Sequence, residues 1–259
     1  MAGEVLYEVR GDAAWVTIDR EQQRNALSPE VVTGLREAIA RVGDDDDARV
    51  VVLTGAGERA FCAGGDLGGM SGDASRVAQH EARGALPELF RGMQECPKPI
   101  VARVNGHALA GGFGLMLACD LVIAADDAEL GTPEINLGLW PHMITAVIHR
   151  NVPRKVALEM MLTGRRVRAP KAARWGMVNR AVPRAELDDA VAAVVGELAS
   201  KSPLILALGK RSFYGSQDMS FDDALAYLQA MLTVNLEAED VAEGVGAFLQ
   251  KRPPEWKGR

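Results

Sequence analysis

The chain has 259 residues, 48% hydrophobic and 25% charged, with 29 basic residues against 35 acidic for a formal net charge of −6. This balance excludes a disordered polymer and argues against nucleic acid or an anionic membrane as a general partner. Folding at this size removes roughly 70–75% of the unfolded chain's surface from water, so neither disulfide nor metal staples are required. Cys62, Cys96 and Cys119 are widely spaced and form no CxxC pair, which fits a reducing, cytoplasmic location. The four histidines form no metal-spaced pair, so no metal site is expected. Acids at Glu4, Glu8, Asp12, Asp19 and Glu21 leave no apolar signal core. The longest uncharged apolar run, 108–119, is too short to span a bilayer. A soluble enzyme-sized domain is expected.

In chain order, 5–9 and 14–18 read as β-strands joined by a turn at Gly11-Asp12. Ser28-Pro29-Glu30 opens a helix, with Ser as N-cap, Pro at the first position and an acid at the positive end. Its apolar face, Val31, Leu35, Ala38, Ile39 and Val42, has the helical period. The acidic run 44–47 reads as a solvated loop, lacking the alternation and glycine turn of a calcium site. Continuous apolar strands are predicted at 50–53, 99–102 and 121–124, with helical stretches between them. This alternation predicts an α/β fold through roughly the first half of the chain. Beyond Val152 strands become scarce and helices are predicted at 155–162, 187–199, 203–213 and 222–236. Ser202-Pro203 restarts the helices, which divides the chain into a core at 1–200 and a helical region at 201–259.

Seven of the 27 glycines fall between 55 and 72 and four more between 106 and 114, directly after two predicted buried strands. Glycine at a strand end permits positive φ and lets backbone N–H groups approach a ligand closely. A dinucleotide-binding fingerprint is absent, since 58–65 does not open a helix, and no nucleophile-elbow serine motif is present. Two glycine loops able to aim amides at one point remain, which is the makings of an oxyanion hole.

The order of motifs then becomes informative. Arg24-Asn25-Ala26-Leu27, Ala60-Phe61-Cys62-Ala63-Gly64-Gly65-Asp66-Leu67 and Val104-Asn105-Gly106-His107-Ala108-Leu109-Ala110-Gly111-Gly112 are followed by Ala118-Cys119-Asp120. Thr132-Pro133-Glu134-Ile135-Asn136-Leu137-Gly138, Leu162-Thr163-Gly164 and Ala247-Phe248-Leu249-Gln250-Lys251-Arg252 complete the set. Together they resemble the enoyl-CoA hydratase/isomerase (crotonase) family across essentially the whole chain. The resemblance implies a spiral of ββα turns with a C-terminal helical trimerisation region, assembled as a homotrimer or a dimer of trimers. It implies an acyl-CoA thioester substrate, with no cofactor beyond the coenzyme A moiety itself, and the thioester oxygen held by the N–H groups of Gly65 and Gly111. Arg24, Ala26, Leu27, Ala63, Asp66 and Leu67 match positions that cradle the CoA. Phe248 and Lys251 match tail positions that reach the CoA of a neighbouring subunit.

The chain departs from the hydratase pattern in two places. Hydratases of the family carry two glutamates; here the second is Glu134, but the first position is Gly114. Nearby Ile135, Leu137 and Leu139 are suited to desolvating Glu134 and raising its pKa. Where hydratases have Pro-Gly-x-Gly-Gly-Thr, this chain has Leu139-Trp140-Pro141-His142-Met143-Ile144-Thr145. Trp140 and Met143 are placed to shape an acyl pocket, alongside Gly114, and His142 is a titratable residue near Glu134 in sequence. The favoured expectation is an enoyl-CoA double-bond isomerase using one glutamate base. A hydratase with His142 or water replacing the missing acid, another crotonase-type reaction such as decarboxylation, and a catalytically weak CoA-binding scaffold are the alternatives.

Overall fold

A computed structural model describes residues 3–66 and 75–259. Gly11, at φ +56°, turns the chain between β1 (Val5–Arg10) and β2 (Ala13–Ile18), which pair as an antiparallel hairpin. Ser28 caps α1 (Pro29–Gly43) by accepting the Val31 N–H at 3.1 Å. From there the chain repeats one unit. It runs through β3 (Val50–Gly55), β4 (Ala60–Cys62), α2 (Arg76–Arg83) and α3 (Ala85–Glu95), then β5 (Ile100–Val104), β6 (His107–Leu109) and α4 (Gly111–Leu117). A third pass gives β7 (Leu121–Ala125), β8 (Glu129–Gly131), α5 (His142–Asn151) and α6 (Arg154–Thr163). β9 (Arg166–Arg168), α7 (Ala169–Arg174), β10 (Arg180–Val182) and α8 (Leu187–Ala199) close the body.

The first strand of each unit joins a six-stranded sheet ordered β1-β2-β3-β5-β7-β10, and the second joins a four-stranded sheet ordered β4-β6-β8-β9. Each unit therefore advances both sheets by one strand, which is the ββα spiral that the resemblance implies. β3 is buried along its whole length because both faces of the large sheet are covered. On one side lies the main core, with Phe61, Phe113, Leu115, Met116 and Leu130. On the other, Val50, Val52, Val101 and Ile123 pack under Leu187, Val191 and Val194 of α8.

Three further helices follow: α9 (Pro203–Ser216), α10 (Phe221–Leu236) and α11 (Glu239–Gln250). α9 and α10 bury no residue in the single chain, so polar contacts carry much of their attachment. The Asp120 carboxylate accepts from the Ile100 N–H, from Lys210 Nζ and from the Tyr214 hydroxyl, each at 2.7 Å. Ser202 donates to the buried Asp240 at 2.5 Å, and Asp240 in turn accepts the N–H groups of Lys257 and Gly258, which folds the C-terminal tail back onto α11. No single helix among the described residues is long and apolar enough to cross a membrane.

Two sequence expectations change. The second glycine cluster is not a loop: Gly111 to Gly114 open α4, where glycine permits contact too close for any side chain. A Cβ on Gly112 would overlap the Cys62 carbonyl group. The later half of the chain also carries β9 and β10, whose three residues each are too short to show a period of two.

Lys210 is almost fully enclosed beside Asp120. Lys210→Met should therefore destabilise the protein by about 3 kcal/mol, because it strands a largely buried carboxylate. The urea midpoint measures this, and an unchanged midpoint would mean that the pair does not anchor α9.

Candidate active site

Three short parallel strands end side by side. β4 pairs with β6 and β6 with β8, all in the same direction. Neighbouring strands lie about 4.8 Å apart, so the residues leaving their C-terminal ends fall within about 10 Å of one another. Leaving β4 come Ala63, Gly64 and Gly65; leaving β6 come Ala110 and Gly111; leaving β8 come Thr132, Pro133 and Glu134. The Ala110 N–H donates to the Gly131 carbonyl at 2.8 Å, which ties the second group to the third. Open space beyond the carboxyl ends of parallel strands is where α/β folds bind ligands.

Peptide geometry settles where the two glycine amides point. The Gly64 carbonyl accepts the Leu27 N–H at 2.7 Å. In a trans peptide the N–H lies opposite the C=O, so the Gly65 N–H faces away from Leu27 into the cleft. The Ala110 carbonyl likewise accepts from the N–H groups of Phe113 and Gly114. The Gly111 N–H therefore points outward from α4. Neither amide donates to another described residue. A Cβ built on Gly111 would lie 3.6 Å from the Gly65 nitrogen, so the two donors are adjacent. The residue before each donor has positive φ: +102° at Gly64 and +52° at Ala110. For alanine that conformation is strained by about 1–3 kcal/mol, held here by the surrounding packing.

A pair of buried asparagines fixes the loop that feeds β4. Asn25 Nδ2 donates to the carbonyls of Ala56 and Ala60, at 3.0 and 2.7 Å. Asn105 Nδ2 donates to Gly55 and Gly57, at 2.9 and 2.7 Å, and Asn105 Oδ1 accepts the Gly55 N–H. Gly55 has to be glycine, since a Cβ there would lie 2.6 Å from the Ala60 carbonyl oxygen. Arg20 then secures the near side, donating to the Ala26 carbonyl at 3.0 Å and pairing with Asp66 at 3.1 Å.

Glu134 sits on a short helical turn, Pro133–Leu137, that Gly138 ends at φ +72°. The carboxyl group is half-buried, and its Oε2 is buried without a hydrogen-bond partner among the described residues. Burial raises its pKa above the ordinary 4.5, with its own backbone N–H opposing the shift. The neighbouring Thr132 hydroxyl is also buried and has no partner among the described residues. A buried polar atom without a partner is costly in a finished core and common where a substrate completes the set.

Gly114 lies on α4, buried beneath α5. A Cβ there would stand 2.6 Å from Ile144 Cβ and closer still to its Cγ2, with Phe90 on the other side. The space where the family's first glutamate would begin is filled by Ile144. Trp140 is half-buried against the main core, while Met143 is exposed and His142, the first residue of α5, is exposed with no side-chain hydrogen bond to a described residue. Leu137, Leu139 and Met143 form an exposed apolar rim next to the Glu134 turn.

The remaining candidates are placed unevenly. Arg24 is exposed in the left-handed conformation, and its carbonyl accepts the Ala63 N–H at 3.0 Å, so it borders the first glycine loop. Ala26 is half-buried, and Leu27 is bridged to Gly65 through the Leu27 and Asp66 N–H groups. Leu67 lies outside the described residues. Phe248 and Lys251 are exposed at the end of α11. Sequence reading missed Arg20, Asn25, Asn105 and Ile144 as supports. Asn25 and Asn105 lay inside the quoted motifs, and a buried asparagine beside a glycine turn is a signal for them; Ile144 has none, because its role depends on helix packing.

A family model described as enoyl-CoA hydratase/isomerase matches residues 8–259. The chain is 35% identical over 266 residues to a carnitinyl-CoA dehydratase of Proteus mirabilis, covering 100% of both chains. It is 34% identical to the mitochondrial enoyl-CoA hydratase domain-containing protein 3 of Rattus norvegicus, over 93% of this chain and 80% of that one. A crystal structure of an enoyl-CoA hydratase of Mycobacterium smegmatis matches with a TM-score of 0.93 at 36% identity, covering 98% of each chain.

Two stability outcomes follow. Gly114→Ala should destabilise by about 1–3 kcal/mol through overpacking, and by less in the presence of Ile144→Ala; additive effects in a denaturation cycle would contradict the contact. Glu134→Gln should raise the melting temperature at pH 7.5. A raised carboxyl pKa favours folding while the group is protonated, and that contribution is lost as pH rises from 4.5 upward. The gain should shrink to nothing below about pH 4. A lower melting temperature at neutral pH would contradict the buried, unpartnered carboxylate.

Proposed function

Because the chain belongs to the enoyl-CoA hydratase/isomerase family of acyl-CoA enzymes, we propose that it moves a proton at C2 of an enoyl-CoA thioester and so shifts a double bond between the β,γ and α,β positions. The observation that carries this reading is a half-buried carboxylate, Glu134, leaving the strand end beside two amides that have no partner among the described residues, with Ile144 occupying the space of a second acid.

A thioester oxygen seated between the Gly65 and Gly111 N–H groups draws electron density from C2. Removal of the C2 proton then leaves a dienolate whose negative oxygen is held by donors already in place. One such donor is worth roughly 3–4 kcal/mol in the transition state. Glu134 takes the proton as carboxylate, becomes the neutral acid that its surroundings favour, and returns the proton at C4. One carboxylate over an allyl system can serve both ends, so the reaction needs no second acid. Addition of water does profit from a second carboxylate to grip the nucleophile, and Gly114 with Ile144 above it offers none. The only cofactor required is the CoA of the substrate. Arg24, Ala26, Leu27, Ala63, Asp66 and Leu67 would cradle that CoA, with Arg24 supplying a local cation for its phosphates on an acidic protein.

A second reading is dehydration of a hydroxyacyl-CoA. It draws on the Proteus relative, described as a carnitinyl-CoA dehydratase, and starts with the same C2 deprotonation. Trp140, His142, Met143 and the apolar rim would shape the acyl pocket in either case. Assembly belongs to the proposal as well. Phe221, Leu225, Leu232, Phe248 and Leu249 stand exposed on α10 and α11, an apolar area that a single chain does not keep in water. A homotrimer or a dimer of trimers would cover it and bring Phe248 and Lys251 to a neighbour's CoA.

Incubation with a 3-enoyl-CoA in heavy-oxygen water separates the reactions: a moved double bond without added mass is the expected result, and label uptake at ordinary hydratase rates overturns the isomerase reading. Glu134→Gln should lower turnover by about 10²–10⁴-fold with CoA-ester binding retained. The acid limb of kcat/KM should lie above pH 4.5 and vanish in that variant. Sedimentation should show a multiple of three chains, and Lys251→Glu should weaken CoA-ester binding; a monomer at micromolar concentration contradicts the assembly.

A further inference from the structure

A cavity beside β9, at the edge of the four-stranded sheet, is lined by a concentration of positive charge. It measures about 460 Å³ and is bounded by Arg165, Arg166 and Arg168 around β9, by Lys171 and Arg174 on α7, and by Asp126 after β7. Its volume falls within the ordinary range of small-molecule sites. The chain as a whole carries a net −6, so this basic lining is local and runs against the general field of the protein.

Two of the cations are already neutralised. Arg165 pairs with Glu159 at 2.5 Å and Arg166 with Glu129 at 3.4 Å. Arg168 and Arg174 make no ion pair with any described residue, and Lys171 contacts only the Trp175 ring, at 4.6 Å, which orients its ammonium group without cancelling the charge. Asp126 lines the same cavity and pairs with none of them. The dipole of α7 explains Lys171 and Arg174, which lie in its last turn. It does not explain Arg168, which stands at the opposite, positive end of that helix. Arg168 and Arg174 are exposed and Lys171 is half-buried, so all three positive charges are available at the mouth of the cavity.

Spacing identifies the kind of anion. Lys171 and Arg174 are neighbours three apart on α7, and Arg168 is the last residue of β9, immediately before that helix. From first to last they extend about 9 Å. A linear chain of phosphates offers each of the three a separate partner over that span, with the guanidinium forks of Arg168 and Arg174 suited to bidentate contact. We infer that the cavity between β9 and α7 binds a linear polyphosphate, either free or as the phosphate chain of a nucleotide, with Asp126 available to accept a sugar hydroxyl. This site is independent of the acyl-CoA reading, since none of its residues belongs to the candidate active site.

Calorimetric titration of the intact protein at 0.15 M salt with inorganic phosphate, pyrophosphate, tripolyphosphate and ATP tests the inference. Saturable binding should appear and tighten at least tenfold from phosphate to tripolyphosphate. Tighter binding of ATP than of tripolyphosphate assigns a nucleotide; equal binding assigns the bare chain. Arg168→Gln with Arg174→Gln should weaken the complex about a hundredfold, each lost charged hydrogen bond being worth about tenfold. Circular dichroism and acyl-CoA turnover should be unchanged by the pair, and Arg24→Gln should leave polyphosphate binding intact. No saturable binding, equal affinity for all four probes, or dependence on Arg24 in place of Arg168 and Arg174 would overturn the inference. So would a change in sedimenting mass in the double variant, which would make the cavity an interface with a second copy.

Discussion

The lateral alignment of three short parallel strands is the constraint on which the rest of this protein depends. β4, β6 and β8 are only three residues long, too short to hold their register by themselves. Their ends nevertheless bring the Gly65 and Gly111 amides and the Glu134 carboxylate to adjoining positions. The long strands of the six-stranded sheet provide the rigid frame, and each ββα unit hangs one short strand from it. The asparagine clamps then remove the slack: Asn25 and Asn105 between them take up the carbonyls of Gly55, Ala56, Gly57 and Ala60 before the chain enters β4. Buried amides with all their partners supplied are a strong way of fixing irregular backbone.

Chemistry at the site follows from what is left unsatisfied. A well-packed core satisfies its polar atoms, yet here two backbone N–H groups point into a cleft and a buried carboxylate oxygen has no partner among the described residues. The strained conformation of Ala110 has the same origin, since it turns the peptide so that the Gly111 N–H leaves the helix axis and faces the cleft. Local instability of this type is stored where a ligand is meant to complete the structure. The raised pKa of Glu134 belongs to the same account: a carboxylate kept from water is a stronger base and yields a stable neutral acid once protonated.

Much of this was legible in the sequence, for identifiable reasons. Pattern and capping residues located β2, α1, β3 and α8, because long buried strands and capped amphipathic helices leave periodic traces. Gly65, Gly111 and Glu134 emerged through motifs in a fixed order, and the structure brings all three to adjoining strand ends. The helical nature of 111–117 was hidden, since three of its residues are glycines that ordinarily break helices; the proximity of Cys62 explains Gly112 and that of Ile144 explains Gly114. Ile144 itself was unreadable. Its importance lies in touching a residue thirty positions away that has no side chain. The basic cavity at β9 and α7 was likewise invisible, because a run of arginines in sequence does not reveal which of them lack carboxylate partners in space.

The central claim is that Glu134 removes the C2 proton of a thioester held by the Gly65 and Gly111 amides. Exchange at C2 isolates that step from any later protonation or loss of water. A saturated acyl-CoA incubated with the protein in heavy water should gain one or two deuterons at C2, detected by mass spectrometry, and Glu134→Gln should abolish the exchange while binding the same ester equally well. Undiminished exchange in Glu134→Gln would contradict the account.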